Sequence, residues 1–354
     1  MNPIATKRPG VYSQYAVTSL YARPVSERAA ALVGVFPEVE GVTRLSRYSE
    51  AAALRTLLPA LESWVLEGWA LAACSLLFGR GVAAVYLSPA ATDTAEGYAA
   101  AFAALEPVAE VGCILCDKAE EDILDALQES CQRASEGSRE RLGFCGVDDS
   151  AAASSLASAL NSERMVLVCP APSLGGAACP PLGAAAVAGE ILCESDPSTG
   201  FSGREIPLPE GLSRELGQDE VETLLGAGVT PLETQPGGVE IIRAVTTRTK
   251  TGGKTDLSFL PVNTILIIDH VMETVRGALK SRLTGMKNTT QTRESIASQV
   301  TVELGQLLDG EIIESYEPPR VYVHPDDPAV LVVELAFAVA HAANQILISA
   351  SIQV

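Results

Sequence analysis

Residues 110–148 read EVGCILCDKAEEDILDALQESCQRASEGSRERLGFCGVD. EVGCILC is an unbroken apolar run of strand length, AEEDILDALQESCQRASEG is acidic and helix-like, and RLGFCGVD is a second short apolar run. Strand, helix and strand in immediate succession predict a βαβ unit with a parallel, doubly buried pair.

The same texture extends on both sides. AAALVGVF (29–36), GVAAVYLSPA (81–90) and RMVLVCPAP (164–172) read as buried strands. TAEGYAAAFAALEP (94–107) and AAASSLASALNSE (151–163) read as the helices between them. Residues 49–78 are mostly helical in pattern, with Pro59 as a break and Gly68 as a weak point. A mostly parallel α/β sheet is expected over this region. Residues 170–236 are rich in Pro and Gly, with helices at PPLGAAAVAGEILCES (180–195) and GQDEVETLLGAGV (217–229).

Beyond Gly238 the character changes. VEIIRAVTTRT (239–249) is a strongly β-prone run, and KTGGKTD (250–256) carries the glycines of a hairpin tip. A helix is predicted with Ile268, Met272, Val275, Leu279 and Leu283 on one face, and a second from about Arg293 with Ile296, Val300, Leu304 and Leu307. Strands are expected at EIIESY (311–316), RVYVHP (320–325) and AVLVVELAFAVA (329–340). From Leu335 to Val354 the chain has no Asp, Glu, Lys or Arg, about the length of a spanning helix. Its end alternates instead, with Ile346, Ile348, Ala350, Ile352 and Val354 on one face, which is the period of a strand. The opening residues contain no unbroken apolar stretch of the secretory kind.

Composition narrows the function. The 354-residue chain is 47% hydrophobic, enough for a sizeable core, and carries 44 acidic against 25 basic residues, a net charge of -19. Such a chain lacks the basic footprint that nucleic acid or an anionic membrane requires. The charge is uneven: residues 1–236 are net -16, residues 237–301 net +4, and residues 302–354 net -7. The positive island suggests a face for an acidic neighbour, or simply a solvated strand-and-helix surface.

Chemical motifs are few. Cys113 and Cys116 form a C-x-x-C inside an apolar run, without the second ligand pair that zinc needs. The eight cysteines are too sparse for a disulfide scaffold and suit a reducing compartment. Gly79-Arg80-Gly81 follows a helix and precedes a strand, the reverse of a dinucleotide fingerprint, and there is no P-loop. GFSG (200–203) is not a nucleophile elbow. Glu120-Glu121 and Asp148-Asp149 read as solvated surface, and Asp326-Asp327 as a turn. No catalytic residue, metal ligand or cofactor site is predicted.

Both ends look like extended β segments with no partner in their own chain, a hazard unless another subunit pairs them. At this point the chain resembles contractile tail sheath proteins of myophage tails and tailocins. The resemblance rests on RPGVY (8–12), SLLFGRG (75–81), PPLGAAAVAGEI (180–191), VETLLGAGVTPLE (221–233) and GVEIIRAVTTRT (238–249) with Asp256 downstream. It continues through KNTTQTRESIASQV (287–300), LDGEII (308–313), HPDDPAVLVV (324–333) and NQILISASIQV (344–354). The matches run in order along the chain and are densest after Pro170.

The resemblance implies a fold of α/β plus α+β: an N-terminal arm (1–22), an outer α/β domain with a Pro/Gly-rich connection (23–236), an inner α+β sheath core domain (237–343) and a C-terminal β arm (344–354). It implies stacked hexameric rings of this chain around an inner tail tube, with baseplate and tail terminator proteins as further partners, in a virion tail or tailocin assembled in the bacterial cytoplasm. The arms would pair with neighbouring subunits through Val11, Tyr12, Tyr15, Val17, Ile346, Ile348, Ile352 and Val354. Arg243, Arg248, Lys250, Lys254, Lys280, Arg282 and Lys287 form the basic island; Lys280, Arg282 and Lys287 are the candidate tube-facing residues. Neither a cofactor nor membrane insertion is implied. A cytosolic α/β enzyme of hydrolase type, with a site at the carboxyl ends of its strands, and a non-contractile shell protein remain as alternatives.

Overall fold

The computed structural model describes residues 28–36, 39–46, 68–280, 287–327 and 329–343. Both predicted arms, and with them Val11, Tyr12, Tyr15, Val17, Ile346, Ile348, Ile352 and Val354, lie outside the described residues, as do Leu283 and most of the 49–78 segment.

The apolar runs become strands β1 (Ala29–Gly34), β3 (Ala84–Pro89), β4 (Val111–Cys116), β5 (Leu142–Gly146) and β6 (Met165–Cys169), nearly every residue buried. With β2 (Thr43–Ser46), β9 (Arg204–Ile206), β10 (Val229–Gln235) and β11 (Gly238–Ile241) they form one nine-stranded sheet in the order β2-β3-β1-β4-β5-β6-β10-β11-β9, while β7 (Ser173–Leu174) and β8 (Ala177–Ala178) pair only with each other. The six strands from β3 to β10 are parallel, and antiparallel strands close both edges. Chain order reverses at β1, the arrangement of doubly wound α/β sheets.

Helices cover both faces, which is what the unbroken apolar strands require. One core contains buried residues of α1 (Gly68–Arg80) and α5 (Pro180–Cys193). The other contains residues of α2 (Ala95–Leu105), α3 (Glu121–Glu136), α4 (Ser150–Leu160) and α6 (Gln218–Ala227). Their ends follow capping chemistry: Thr94 and Asp149 accept from the backbone N–H groups of Gly97 and Ala152, and Asn161 and Gly228 end α4 and α6 in left-handed conformation. The Gly79-Arg80-Gly81 turn aims Arg80 at Glu190, buried on α5, rather than at a phosphate. Cys113 and Cys116 lie within β4, where burial pushes both thiols well above their ordinary range.

The β-prone run at 239–249 splits in two. Gly238–Ile241 joins the large sheet as β11, and the rest is a buried strap without regular structure. Threonine hydroxyls replace the ladder. Thr230 Oγ1 accepts from the Val245 N–H and donates to its carbonyl, Thr246 donates to the Phe259 carbonyl, and Thr247 to that of Ser162. The hairpin expected at 250–256 is present as β12 (Lys250–Thr251) and β13 (Lys254–Thr255), with Gly252 and Gly253 at φ of 58° and 79°.

A third core forms where α7 (Val262–Lys280) and α8 (Thr290–Asp309) meet the last strands. The α8 stripe is as predicted, with Ile296, Val300, Leu304 and Leu307 all buried. The α7 stripe holds at Val275, which is buried, and at Leu279, which packs against the same core, but its first half is displaced by one residue: Ile267 and Val271 enter the third core, while Ile268 is half-buried and Met272 exposed. The cause is a second partner, because Val262 and Ile265 at the start of α7 belong to the α1/α5 core of the sheet. One helix, about 28 Å long by its residue count, is thereby rooted in both layers.

Strands β14 (Ile313–Tyr316), β15 (Arg320–Val323), β16 (Leu331–Glu334) and β17 (Phe337–Val339) pair as β14 with β17 and β15 with β16, both antiparallel. The Glu317 N–H donates to the Ala336 carbonyl between the two pairings. They are thus one ribbon, folded back at the Asp326-Asp327 turn and interrupted by Pro318-Pro319, which lack ladder donors.

Candidate inter-subunit surface

Helix α7 crosses the edge of the sheet at which the parallel strands begin. Arg164, just before β6, grips Asp269 with two hydrogen bonds of 2.5 and 2.8 Å. Arg28, just before β1, pairs with Glu273, and Arg276 reaches Glu140, just before β5, at 2.6 Å. Asp269 is buried and the Arg164 side chain only 13% exposed, so their attraction is little screened by water. Burial pushes the Asp269 carboxyl up and the Arg164 fork pulls it back, leaving it above its ordinary value. His270 lies in a cleft beside Arg28 and Glu273, where burial holds its imidazole below the usual value.

This seam fixes the position of the C-terminal ribbon. Its inner face, with Ile313, Val321, Val333, Phe337 and Val339, packs on the core built by α7 and α8. Among the described residues nothing pairs with either outer edge of the ribbon. A two-stranded ribbon is only marginally stable alone, and its open edges present N–H and C=O groups suited to an added strand. Among the described residues the exposed large hydrophobics, Leu257, Met272, Val302, Leu308, Tyr322 and Val330, all follow residue 256 in sequence.

The basic island does not gather into one patch. Lys250 and Lys254 are exposed on the β12–β13 hairpin, which Asn161 anchors by accepting from the Thr249 and Lys250 N–H groups. Lys280 is exposed at the far end of α7 and Lys287 in the turn before α8; Arg282 lies outside the described residues. The other two members point inward: Arg248 pairs with Glu163, and Arg243 lines a small cavity beside the chain that follows β17. Sequence reasoning missed the three acids and the histidine of the α7 seam. Those on α7 were signalled only by charge within a helix whose first half was misphased, and Glu140 by nothing beyond an acid before a strand.

The crevice that an α/β enzyme would use opens at the carboxyl ends of β1 and β4. Asp117 fills it, accepting the Tyr98 hydroxyl at 2.7 Å. A Cβ at Gly34 would come within 2.9 Å of the Asp117 carboxylate, so the glycine is what lets this side chain lie against the end of β1. Among the described residues no group of three or more His, Cys, Asp or Glu could hold a metal ion, and no helix is long and apolar enough to cross a membrane.

No protein-family model and no curated protein matches the chain. Solved structures do. The chain superposes on a protein of the anti-feeding prophage baseplate with a TM-score of 0.74 at 17% identity, covering 99% of this chain and all of that one. It matches the helical sheath of the anti-feeding prophage in its contracted state with a TM-score of 0.70 at 15% identity, over 98% of this chain and 99% of the other. The sheath tail protein of Desulfitobacterium hafniense gives 0.66 at 10% identity, over 93% of this chain and all of that one.

Proposed function

We propose that this chain, which has the fold of contractile sheath proteins, is the repeating subunit of a contractile sheath. It polymerises helically around an inner tube and shortens from a metastable extended state to drive the tube through a cell envelope. The observation that carries this reading is the end-to-end match to sheath chains, one of them solved in a contracted sheath. The open-edged ribbon agrees with it: residues 1–22 and 344–354 would add strands there to join neighbouring copies. A contact in which each copy donates in one direction is heterologous and builds rings or helices.

In this reading the large α/β layer lies outside and the layer of α7, α8 and the ribbon faces the tube. The copies stack as hexameric rings, with baseplate and terminator proteins at the ends of a virion tail or tailocin. Lys280, Arg282 and Lys287 would meet an acidic tube. Stored interface energy would drive contraction, so no catalytic group is required.

The test is negative-stain electron microscopy of the purified chain, full length and lacking 344–354. Long hollow tubes from the full chain and none from the truncated one are expected. Monodisperse monomers from both would overturn the proposal.

A further inference from the structure

A cavity of about 100 Å³ lies where four parts of the chain converge. Phe201 and Ser202 precede β9, Arg243 belongs to the buried strap, Asn263 and Thr264 begin α7, and His341 follows β17. Arg243 makes no hydrogen bond or ion pair among the described residues, and its Nε is buried without a partner. Leaving a guanidinium N–H desolvated and unpaired is unfavourable, so the group is poised for an acceptor. The rest of the lining sharpens the sign. Among the described residues it contains no Asp or Glu, and the first turn of α7, whose amide groups form the positive end of the helix, has no acidic residue either. In a chain with 44 acids and 25 bases, an acid-free cationic recess departs from the general surface.

Size decides what enters. Ligand and cofactor pockets run to roughly 300–1,000 Å³, so this cavity is too small for a nucleotide and large enough for a single carboxylate. Arg matches a carboxylate with two parallel hydrogen bonds. The chain's own continuation does not offer an acidic side chain, because residues 344–354 contain no Asp or Glu. Residues 302–354, by contrast, are net -7, so another copy presents carboxylates from the same layer.

We infer that Arg243 forms a socket for an aspartate or glutamate side chain of a second copy of this chain, next to the point where residues 344–354 leave the body. The inference rests on the sheath-subunit reading. It also takes Arg243 out of the basic island and assigns it to the contact between subunits.

Assembly of the full chain, followed by sedimentation and electron microscopy, tests it with Arg243→Gln and Arg243→Lys. Arg243→Gln should raise the concentration needed for polymer by about ten-fold or more, and Arg243→Lys, which keeps the charge but loses the fork, by less. Melting of the unassembled subunit should be unchanged in both. If wild type and Arg243→Gln assemble alike, the socket is overturned while the sheath reading stands; if wild type itself forms no polymer, both fall. Excess sodium acetate separates the two sources of carboxylate. Acetate that weakens wild-type assembly and spares Arg243→Gln supports a subunit-borne carboxylate. Acetate that shifts the Arg243 Nε–H resonance of the free subunit without affecting assembly shows a site for free anions only, and overturns it.

Discussion

Asp117 sits where burial raises its carboxyl from 3.8 to about 6, with Tyr98 donating to it. A raised value means that the folded state holds the proton more tightly than the unfolded chain. Stability from this group is therefore complete below about pH 4 and is lost as pH rises through about 6, above which it changes no further. Asparagine keeps an acceptor for Tyr98 without the charge. Asp117→Asn should leave stability near the wild-type value at pH 4 and raise it by about 1–2 kcal/mol at pH 8, measured by urea unfolding. No sequence signal marked this residue: it follows an apolar run like any strand-terminating polar residue, and the Gly34 approach that defines it comes from 83 positions away. The cysteines were legible for the opposite reason, because a thiol inside an unbroken apolar strand has one plausible environment.

Among the elements, sheet strands and their helices could be read directly because each answers to one layer: strands covered on both faces are apolar throughout, and each covering helix has one stripe toward the sheet. Helix α7 could not, since its two ends serve different cores and its acids face the sheet edge. Removing one partner of the Arg164–Asp269 pair should be costly: Asp269→Asn strands a buried guanidinium and should lose about 3 kcal/mol. Arg164→Met with Asp269→Leu should recover to within about 1 kcal/mol of wild type, a difference that calorimetry resolves. In α8, Leu304→Ala should cost about 2–4 kcal/mol, since Leu304 is fully buried in the small third core. The β-prone run at 239–249 was half misread. Alternation and β-branching promise a strand, and the sequence does not show that threonine hydroxyls satisfy its backbone instead.

For the whole molecule, charge distribution is the property that sequence exposes and topology rearranges. The segment 237–301 is positive as counted, yet the fold turns Arg243 and Arg248 inward and leaves the lysines at two separate places. Lys280→Glu with Lys287→Glu should therefore weaken co-assembly with an acidic tube while leaving self-assembly through the ribbon intact, as read by co-sedimentation. Unchanged tube binding would remove both residues from that interface.

Because α7 is anchored in the sheet's core at one end and in the ribbon's core at the other, it acts as an axle keyed to two wheels. Neither layer can turn alone without shearing apolar contacts and three ion pairs, so torque applied to one is delivered to the other undiminished. In the proposed sheath, a polymer of such copies would change length at its joints and not within its bricks. Hydrogen exchange of the α7 amides would then be the same in the long and short forms, and faster exchange in one of them would place the flexing inside the subunit.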